Sequence, residues 1–104
     1  MTAKLVLSAQ MVAHAHAAEA WWRQNRMAAP DLFAAELEKV LALITEQPAV
    51  GRPTPRAEYP NLRRFELRRS RYYVLYEHDA ATNELYVHAV WSAVRARGPR
   101  LVPR

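Results

Sequence analysis

The sequence predicts an α+β fold of order β-α-α-β-β-β, with a helical hairpin packed on one face of a small antiparallel sheet. The first half of the chain has apolar residues at helical spacing, and the second half has short runs that are β-branched, aromatic or alternating. A proline-rich stretch separates the two halves. The chain has 104 residues, of which 51% are hydrophobic and 24% charged, which is typical of one folded domain.

The chain begins with a predicted strand and a predicted helix. Lys4 to Leu7 is a short β-prone run that places Leu5 and Leu7 on one face. Ser8 offers an N-cap oxygen for a helix from Ala9 to about Met27. Helical spacing gives this helix one apolar stripe, made of Met11, Ala15, Ala18 and Trp22.

The second helix has the clearest periodicity in the sequence. Pro30 marks the boundary with the first helix, and Pro48 ends the second. The link between the helices is short, so we expect an antiparallel hairpin. The apolar stripe of the second helix consists of Phe33, Leu37, Val40, Leu41 and Ile44.

Residues 48–60 hold four prolines and Gly51, which predicts a loop without a regular element. A loop this long in a small domain is either well packed or functional.

Three predicted strands follow the loop, and they span Leu62–Arg68, Tyr72–His78 and Leu85–Trp91. The links between them are short enough for hairpins, which predicts an antiparallel meander. Alternation predicts that one face of these strands is core and that the other is partly exposed. The predicted core side carries Phe65, Leu67, Tyr72, Val74 and Tyr76, and the other side carries Arg64, Glu66 and Arg68.

Residues 1–100 are predicted to form a single domain. The last four residues, Leu101 to Arg104, match what a thrombin-cleavable tag leaves after cutting, so we expect a tag remnant. Residues 1–10 lack a signal-peptide pattern, and no apolar run is long enough for a membrane span. These features predict a cytoplasmic protein without a membrane partner.

Charge and composition exclude several kinds of site and indicate the kind of partner. The chain has no cysteine, which excludes disulfides, thiolate catalysis and cysteine metal sites. His14 and His16 fall on different helix faces, so we expect no metal site. The net charge of +5 and the pI of about 10.1 favour an acidic partner, either nucleic acid or an acidic protein segment.

Five short motifs follow one another along the chain. They are Ala18-Glu19-Ala20-Trp21-Trp22 with Asn25, Pro48-x-x-Gly51-x-Pro53, Leu62-Arg63-Arg64-Phe65, Tyr72-Tyr73-Val74-Leu75-Tyr76, and Val90-Trp91-Ser92-Ala93-Val94-Arg95. Their order and spacing resemble the RelE/ParE superfamily of type II toxin–antitoxin toxins, from Lys4 to about Pro99.

The resemblance implies one of two activities. RelE-like members are ribosome-dependent endoribonucleases that promote attack of an mRNA 2′-hydroxyl on the neighbouring phosphate, which requires a base, an acid and cations. ParE-like members lack much of this set and inhibit DNA gyrase. Both kinds use no cofactor and are neutralised by an antitoxin with an acidic, amphipathic C-terminal segment. Operator DNA is expected to bind only through that antitoxin.

Two positions favour the ParE-like branch. Tyr73 stands where RelE-like nucleases usually carry an arginine, and the tail after Trp91 has no His or Tyr to act as a general acid. We therefore expect a gyrase inhibitor that is not an enzyme. The alternatives are an mRNA endoribonuclease that uses Arg64, Glu66, Tyr73 and Arg95, and a non-toxic relic that still binds antitoxin.

The arginines are the expected contacts for a phosphate or an acidic partner, although such a cluster can also be a solvated strand face that prevents edge pairing. The residues expected to make these contacts are Arg63, Arg64, Arg68, Arg69, Arg71, Arg95 and Arg97. Glu66 suits a general base, but we favour an ion-pair role. Tyr73 either stacks on a base or packs against a helix, and His78 and His88 are either acid–base groups or structural. Trp21 and Trp22 cannot share one face, so we expect one to be buried and the other to be exposed.

Overall fold

The computed structural model of the protein describes residues 2–104 and has the predicted α+β architecture. The two helices are α1 (Ala9–Asn25) and α2 (Leu32–Glu46). The strands are β1 (Lys4–Leu7), β2 (Arg52–Pro53), β3 (Arg63–Leu67), β4 (Tyr72–Asp79) and β5 (Glu84–Ser92). No helix in this described part of the chain is long and apolar enough to cross a membrane.

The strands form one sheet in the order β1-β5-β4-β3-β2. Strands β2 to β5 pair antiparallel, as the short links between β3, β4 and β5 require. Strand β1 instead pairs parallel with β5, with Lys4 opposite Glu84 and Leu7 opposite Val87. The register between β4 and β5 shifts at Leu75 and Tyr76, which leaves His88 at an irregular position.

The helices pack on one face of the sheet, here called the helix-covered face. The predicted stripes are confirmed there: Met11, Ala18 and Trp22 of α1 are buried, and so are Phe33, Leu37, Val40 and Ile44 of α2. They meet Leu67, Val74, Tyr76, Leu85, Val87 and Val90 from the sheet. The predicted alternation of β3 and β4 therefore holds.

Ser8 fixes the start of α1, as predicted. Its hydroxyl oxygen accepts a hydrogen bond from the Met11 N–H at 2.9 Å and donates to the carbonyl of His88 at 2.8 Å. The cap therefore ties the helix to the neighbouring strand β5. Strand β1 lies at the edge of the sheet, where the side chains of Leu5 and Leu7 remain 36% and 40% exposed.

A second, smaller core covers the opposite, helix-free face. It buries Leu62, Tyr73, Leu75, Ala89 and Leu101. The segment Thr54–Leu62 and the tail Pro99–Leu101 contribute to this layer through hydrogen bonds from Thr54 N–H to Leu62 and from Arg56 Nη1 to Pro99. This face was expected to be partly exposed, but at its centre it is covered.

The proline-rich loop contains regular structure, so the prediction of an irregular loop was wrong. Pro48–Val50 forms a turn of 3₁₀ helix, and β2 pairs with β3. The Tyr76 hydroxyl donates to the Pro48 carbonyl at 2.7 Å and accepts from the Gly51 N–H at 2.9 Å. A Cβ at Gly51 would lie 2.5 Å from the Tyr76 oxygen, so close approach explains this glycine.

Candidate functional site

The arginines that follow one another in the sequence separate in the structure, because side chains alternate along a strand. Arg63 lies beside Tyr76 in the β3–β4 register, and its guanidinium donates to the Gly51 carbonyl at 2.7 Å and to the Ala49 carbonyl at 3.3 Å. Arg63 therefore braces the proline-rich segment in this structure.

Arg64, Glu66 and Tyr73 lie together on the helix-free face. The Arg64 guanidinium carbon is 3.6 Å from the centre of the Tyr73 ring. Arg64 Nε lies 2.5 Å from a Glu66 oxygen, and Arg52 reaches the same oxygen at 3.4 Å. The expected ion-pair role of Glu66 is confirmed. The pairing also balances the Arg64 charge locally.

The phenol of Tyr73 is enclosed by the protein itself. Tyr73 is only 6% exposed and packs in the second core with Leu62 and Leu101. A Cβ at Gly98 would lie 3.4 Å from the Tyr73 hydroxyl, so the tail passes directly over it. The expectation that Tyr73 would pack against a helix was wrong, because it packs on the opposite face.

The two strand histidines make local contacts. His88 is 2% exposed, and its Nε2 lies 2.7 Å from a Glu77 oxygen. The rings of Tyr59 and Tyr86 stand edge-on to it at 4.9 and 4.8 Å. His78 Nε2 is 2.8 Å from the Asn83 side-chain oxygen. Burial keeps the His88 imidazole away from any substrate phosphate.

Three of the predicted arginines do meet at one place. Arg69, Arg71 and Arg95 line a groove of about 650 Å³ between α1 and the adjacent ends of β4 and β5, together with Arg26 from the end of α1. Aromatic and aliphatic residues line the rest of the groove, among them Trp21, Trp22, Tyr72, Val90 and Trp91. We call this feature the basic groove.

A carboxylate of α2 holds the turn that carries Arg69 and Arg71. Glu36 accepts hydrogen bonds from the N–H groups of Arg69 and Ser70, both at 2.8 Å, and from the Ser70 hydroxyl at 2.7 Å. Burial alone would raise the pKa of Glu36, but these hydrogen bonds and the nearby Arg69 charge together outweigh burial and lower it. Glu36 is therefore ionised at neutral pH.

His14 lies in the wall of the basic groove, edge-on to Trp91 at 5.1 Å. Burial, assisted by the positive charge of Arg95, lowers the pKa of His14, so the imidazole is neutral at pH 7. The charge of the groove therefore comes from its arginines and stays constant near neutral pH. Within residues 2–104, no three His, Asp and Glu side chains gather as metal ligands.

The remaining predicted contacts lie outside the groove. Arg68 and Arg97 are exposed, and the Arg97 carbonyl accepts a hydrogen bond from the Trp91 indole at 2.7 Å. The predicted split of the tryptophan pair is confirmed, because Trp22 is buried and Trp21 is 43% exposed. The functional roles of the predicted arginines stay predictions.

Sequence reasoning missed Arg26 and Glu36. Arg26 follows Trp22 by four residues, a spacing that brings side chains together on a helix and could have flagged it. Glu36 contacts a turn more than thirty residues away, so no local pattern marks it.

Comparison with known proteins identifies the family of this chain. A family model described as "ParE toxin of type II toxin-antitoxin system, parDE" matches residues 5–97. The chain belongs to this ParE toxin family. It is thus the toxin component of a type II toxin–antitoxin system, as its resemblance to the RelE/ParE superfamily predicted. Among curated proteins, none matches this sequence.

Solved structures share the toxin's fold at low identity. A chain from the RelBE2 toxin–antitoxin complex of Mycobacterium tuberculosis superposes with a TM-score of 0.63 and 18% identity, over 88% of this chain and 99% of that chain. A free-state structure of the E. coli toxin RelE, with two arginines changed to alanine, gives 0.54 and 20%, over 90% of this chain and 86% of that chain. At these identities the likeness concerns the fold.

Proposed function

We propose that this toxin inhibits DNA gyrase without cleaving RNA, and that a cognate antitoxin neutralises it in the cytoplasm. The observation that carries the proposal is the closure of the helix-free face over Tyr73. A nuclease that worked there would need an open site in which a phosphate meets a cation, a base and an acid.

The groups on that face are engaged with one another. Glu66 is bound by Arg64 and Arg52, so a 2′-hydroxyl would have to compete with both arginines for its carboxylate. Arg64 is held between Glu66 and the ring of Tyr73. The match to the ParE family over residues 5–97 supports gyrase as the target, because the resemblance assigns gyrase to ParE-like members.

Ribosome-dependent mRNA cleavage is the competing function, and the basic groove is the observation that favours it. Arg69, Arg71 and Arg95 are cations suited to a phosphate, and His14 beside them is neutral and able to accept a proton. Cleavage in the groove would place the chemistry on the opposite side of the sheet from Tyr73.

Gyrase supercoiling of relaxed plasmid tests the proposal. Purified toxin is expected to stop supercoiling, and added antitoxin is expected to restore it. Tyr73→Phe is a matched variant that keeps the buried ring and removes the hydroxyl, and it is expected to inhibit gyrase like the wild type. Full supercoiling at excess toxin would refute the proposal.

A parallel assay on translating ribosomes separates the alternatives. Codon-phased cuts in a primer-extension assay would establish mRNA cleavage, and their loss in His14→Ala with Tyr73→Phe unaffected would assign it to the basic groove. Normal growth on induction without antitoxin would instead indicate a non-toxic relic that binds only its antitoxin.

A further inference from the structure

The two edges of the sheet differ in how they are protected. Strand β2 forms one edge and consists of Arg52 and Pro53 alone. Charges and prolines are common means by which proteins prevent an edge strand from pairing with another chain. Strand β1 forms the other edge, and its run Leu5-Val6-Leu7 contains neither a charge nor a proline. The β1 edge is therefore open to pairing with a further strand.

The backbone of β1 has hydrogen-bonding groups that point away from the sheet. The N–H groups of Lys4 and Ser8 donate to carbonyls on the β5 side, at 2.8 and 3.1 Å. Along a parallel strand, the N–H and C=O groups of one residue point to the same side, and successive residues alternate. Val6 therefore also faces β5, whereas Leu5 and Leu7 direct their N–H and C=O groups outward. These outward groups are left for solvent or for a partner strand.

The side chains of Leu5 and Leu7 extend the helix-covered core to this edge. They lie beside Leu85 and Val87 in the β1–β5 register, and those two residues are fully buried. Leu5 and Leu7 themselves keep 36% and 40% of their surface exposed. Val6 points to the helix-free face, because side chains alternate along a strand. A strand paired to β1 would bury the leucines further, which is favourable for apolar surface.

The run Leu5-Val6-Leu7 reads the same in both chain directions. If a two-fold axis at Val6 relates two antiparallel copies, Leu5 lies opposite Leu7 of the second copy and Val6 lies opposite its equivalent. Both leucines direct their N–H and C=O groups outward, so each opposite pair of leucines can exchange two hydrogen bonds. A register moved by one residue would set the leucines opposite Val6, whose groups face β5, and these bonds would be lost.

Charge does not oppose this pairing. Lys4 is the one charged residue of β1, and the two-fold axis sets it opposite Ser8 of the second copy. The two copies of Lys4 are then four residue spacings apart along the strands, roughly 13 Å, which exceeds the screening length of about 8 Å at physiological salt. Like charges therefore do not meet across the contact.

From these observations we infer that two copies of the toxin pair through their β1 strands. The pairing joins two five-stranded sheets into one, with the leucines of both copies in a single apolar row on the helix-covered face. The contact is small, so we expect a reversible dimer with a dissociation constant in the micromolar range. This inference concerns self-association and does not depend on gyrase as the target.

Cysteine cross-linking tests the register directly, because the chain has no cysteine of its own. Opposite residues that exchange no hydrogen bonds lie about 4.5 Å apart between their Cα atoms, which a disulfide can span. Mild oxidation of Val6→Cys is therefore expected to give a covalent dimer on a non-reducing gel. Leu5→Cys is the matched control on the same strand. Its two copies are offset by two positions, beyond the reach of about 7 Å, so at least about tenfold less dimer is expected.

Sedimentation equilibrium measures the dimer without cross-linking. Leu7→Lys places a charge in the leucine row, and Leu5→Pro removes an outward N–H while keeping the bonds to β5. Each is expected to weaken the dimer at least about tenfold. Val94→Lys changes a tail residue that is 66% exposed and is expected to dimerise within about twofold of wild type. Leu7→Lys keeps the backbone of β1 intact, so it tests the contact even if Leu5→Pro unfolds the strand.

Three outcomes would overturn the inference. These are a toxin that stays monomeric at the highest soluble concentration, equal cross-linking of Val6→Cys and Leu5→Cys, and a dimer that Leu7→Lys does not weaken. A dimer with the expected cross-link that leaves gyrase uninhibited would support the inference and refute only the proposed target. Inhibition of gyrase by a toxin that never dimerises would refute the pairing alone.

Discussion

Replacing Arg71 with glycine is expected to stabilise the toxin although it removes a side chain. The backbone at Arg71 is fixed from both sides, because its N–H donates to the Leu67 carbonyl and its carbonyl accepts from the Ala93 N–H, each at 2.8 Å. Glycine keeps both hydrogen bonds and adopts the φ of 65° without a Cβ clash. The Arg71 side chain is exposed and makes no ion pair within residues 2–104, so little contact is lost.

The magnitude follows from two opposing terms. The left-handed conformation costs a non-glycine residue about 1–2 kcal/mol. Glycine gains extra freedom in the unfolded chain, which offsets about 0.4–1 kcal/mol of that. The midpoints of these ranges differ by about 0.8 kcal/mol, so the free energy of unfolding is expected to rise by about that amount, which for a domain of this size raises Tm by about 3–6 °C.

Thermal unfolding followed by circular dichroism measures the shift, and Arg69→Gly is the matched control. Arg69 lies in the same turn outside the positive-φ region, and its loss removes the same charge from the same groove. Arg69→Gly is therefore expected to lower Tm, because the unfolded chain gains entropy without any relief of strain and the attraction between the Arg69 charge and Glu36 is lost. A Tm for Arg71→Gly at or below that of wild type would show that Arg71 is not strained.

Three further predictions concern stability. Tyr76→Phe leaves the Pro48 carbonyl and the Gly51 N–H without their buried partner, and urea unfolding is expected to show a loss of about 1–3 kcal/mol; an unchanged midpoint would contradict this. The pKa of Glu36 is lowered in the folded state, so ionised Glu36 stabilises the fold above the ordinary glutamate pKa, and this stabilisation is lost as pH falls through the lower folded-state pKa. The difference in Tm between wild type and Glu36→Gln should therefore shrink below about pH 4. A difference that stays constant with pH would refute this. Deleting residues 101–104 removes buried Leu101 from the second core and is expected to cost about 1–2 kcal/mol in thermal unfolding, whereas no change would support a tag remnant outside the fold.

Periodicity was sufficient to predict the helix-covered core. Apolar positions three or four residues apart identified the buried faces of α1 and α2, and alternation identified those of β3 and β4. Helix ends were less sharp: α1 was expected to reach Met27 but ends at Asn25, since the prediction had no cap signal at that end.

Long-range pairing could not be predicted from local patterns. The parallel pairing of β1 with β5 joins residues about eighty positions apart, and nothing within either run specifies its neighbour. The pairing of β2 was missed because prolines normally disfavour strands, although an edge strand as short as Arg52–Pro53 tolerates one. The helix-free core was missed because the residues that cover its strand side chains, Leu62 and Leu101, come from a loop and from the tail.

The candidate site could be predicted only in part, because long-range packing determines which arginines share a surface. The sequence grouped the arginines of residues 63–71 by their proximity along the chain. In the structure, side chains alternate along β3, so Arg63 and Arg64 lie on opposite faces of the sheet. The turn after β3 places Arg69 and Arg71 in the basic groove with Arg95. Charge density along a sequence identified the basic region, but not the surface that its members share.

The basic groove is held rigid by contacts that each have an identifiable cause. Glu36 fixes the turn at Arg69 and Ser70, and the Ala93 N–H fixes the backbone of Arg71. Trp91 orients Arg95, and its own indole N–H is bound by the tail. A surface that is ordered before binding loses little conformational entropy when a partner arrives.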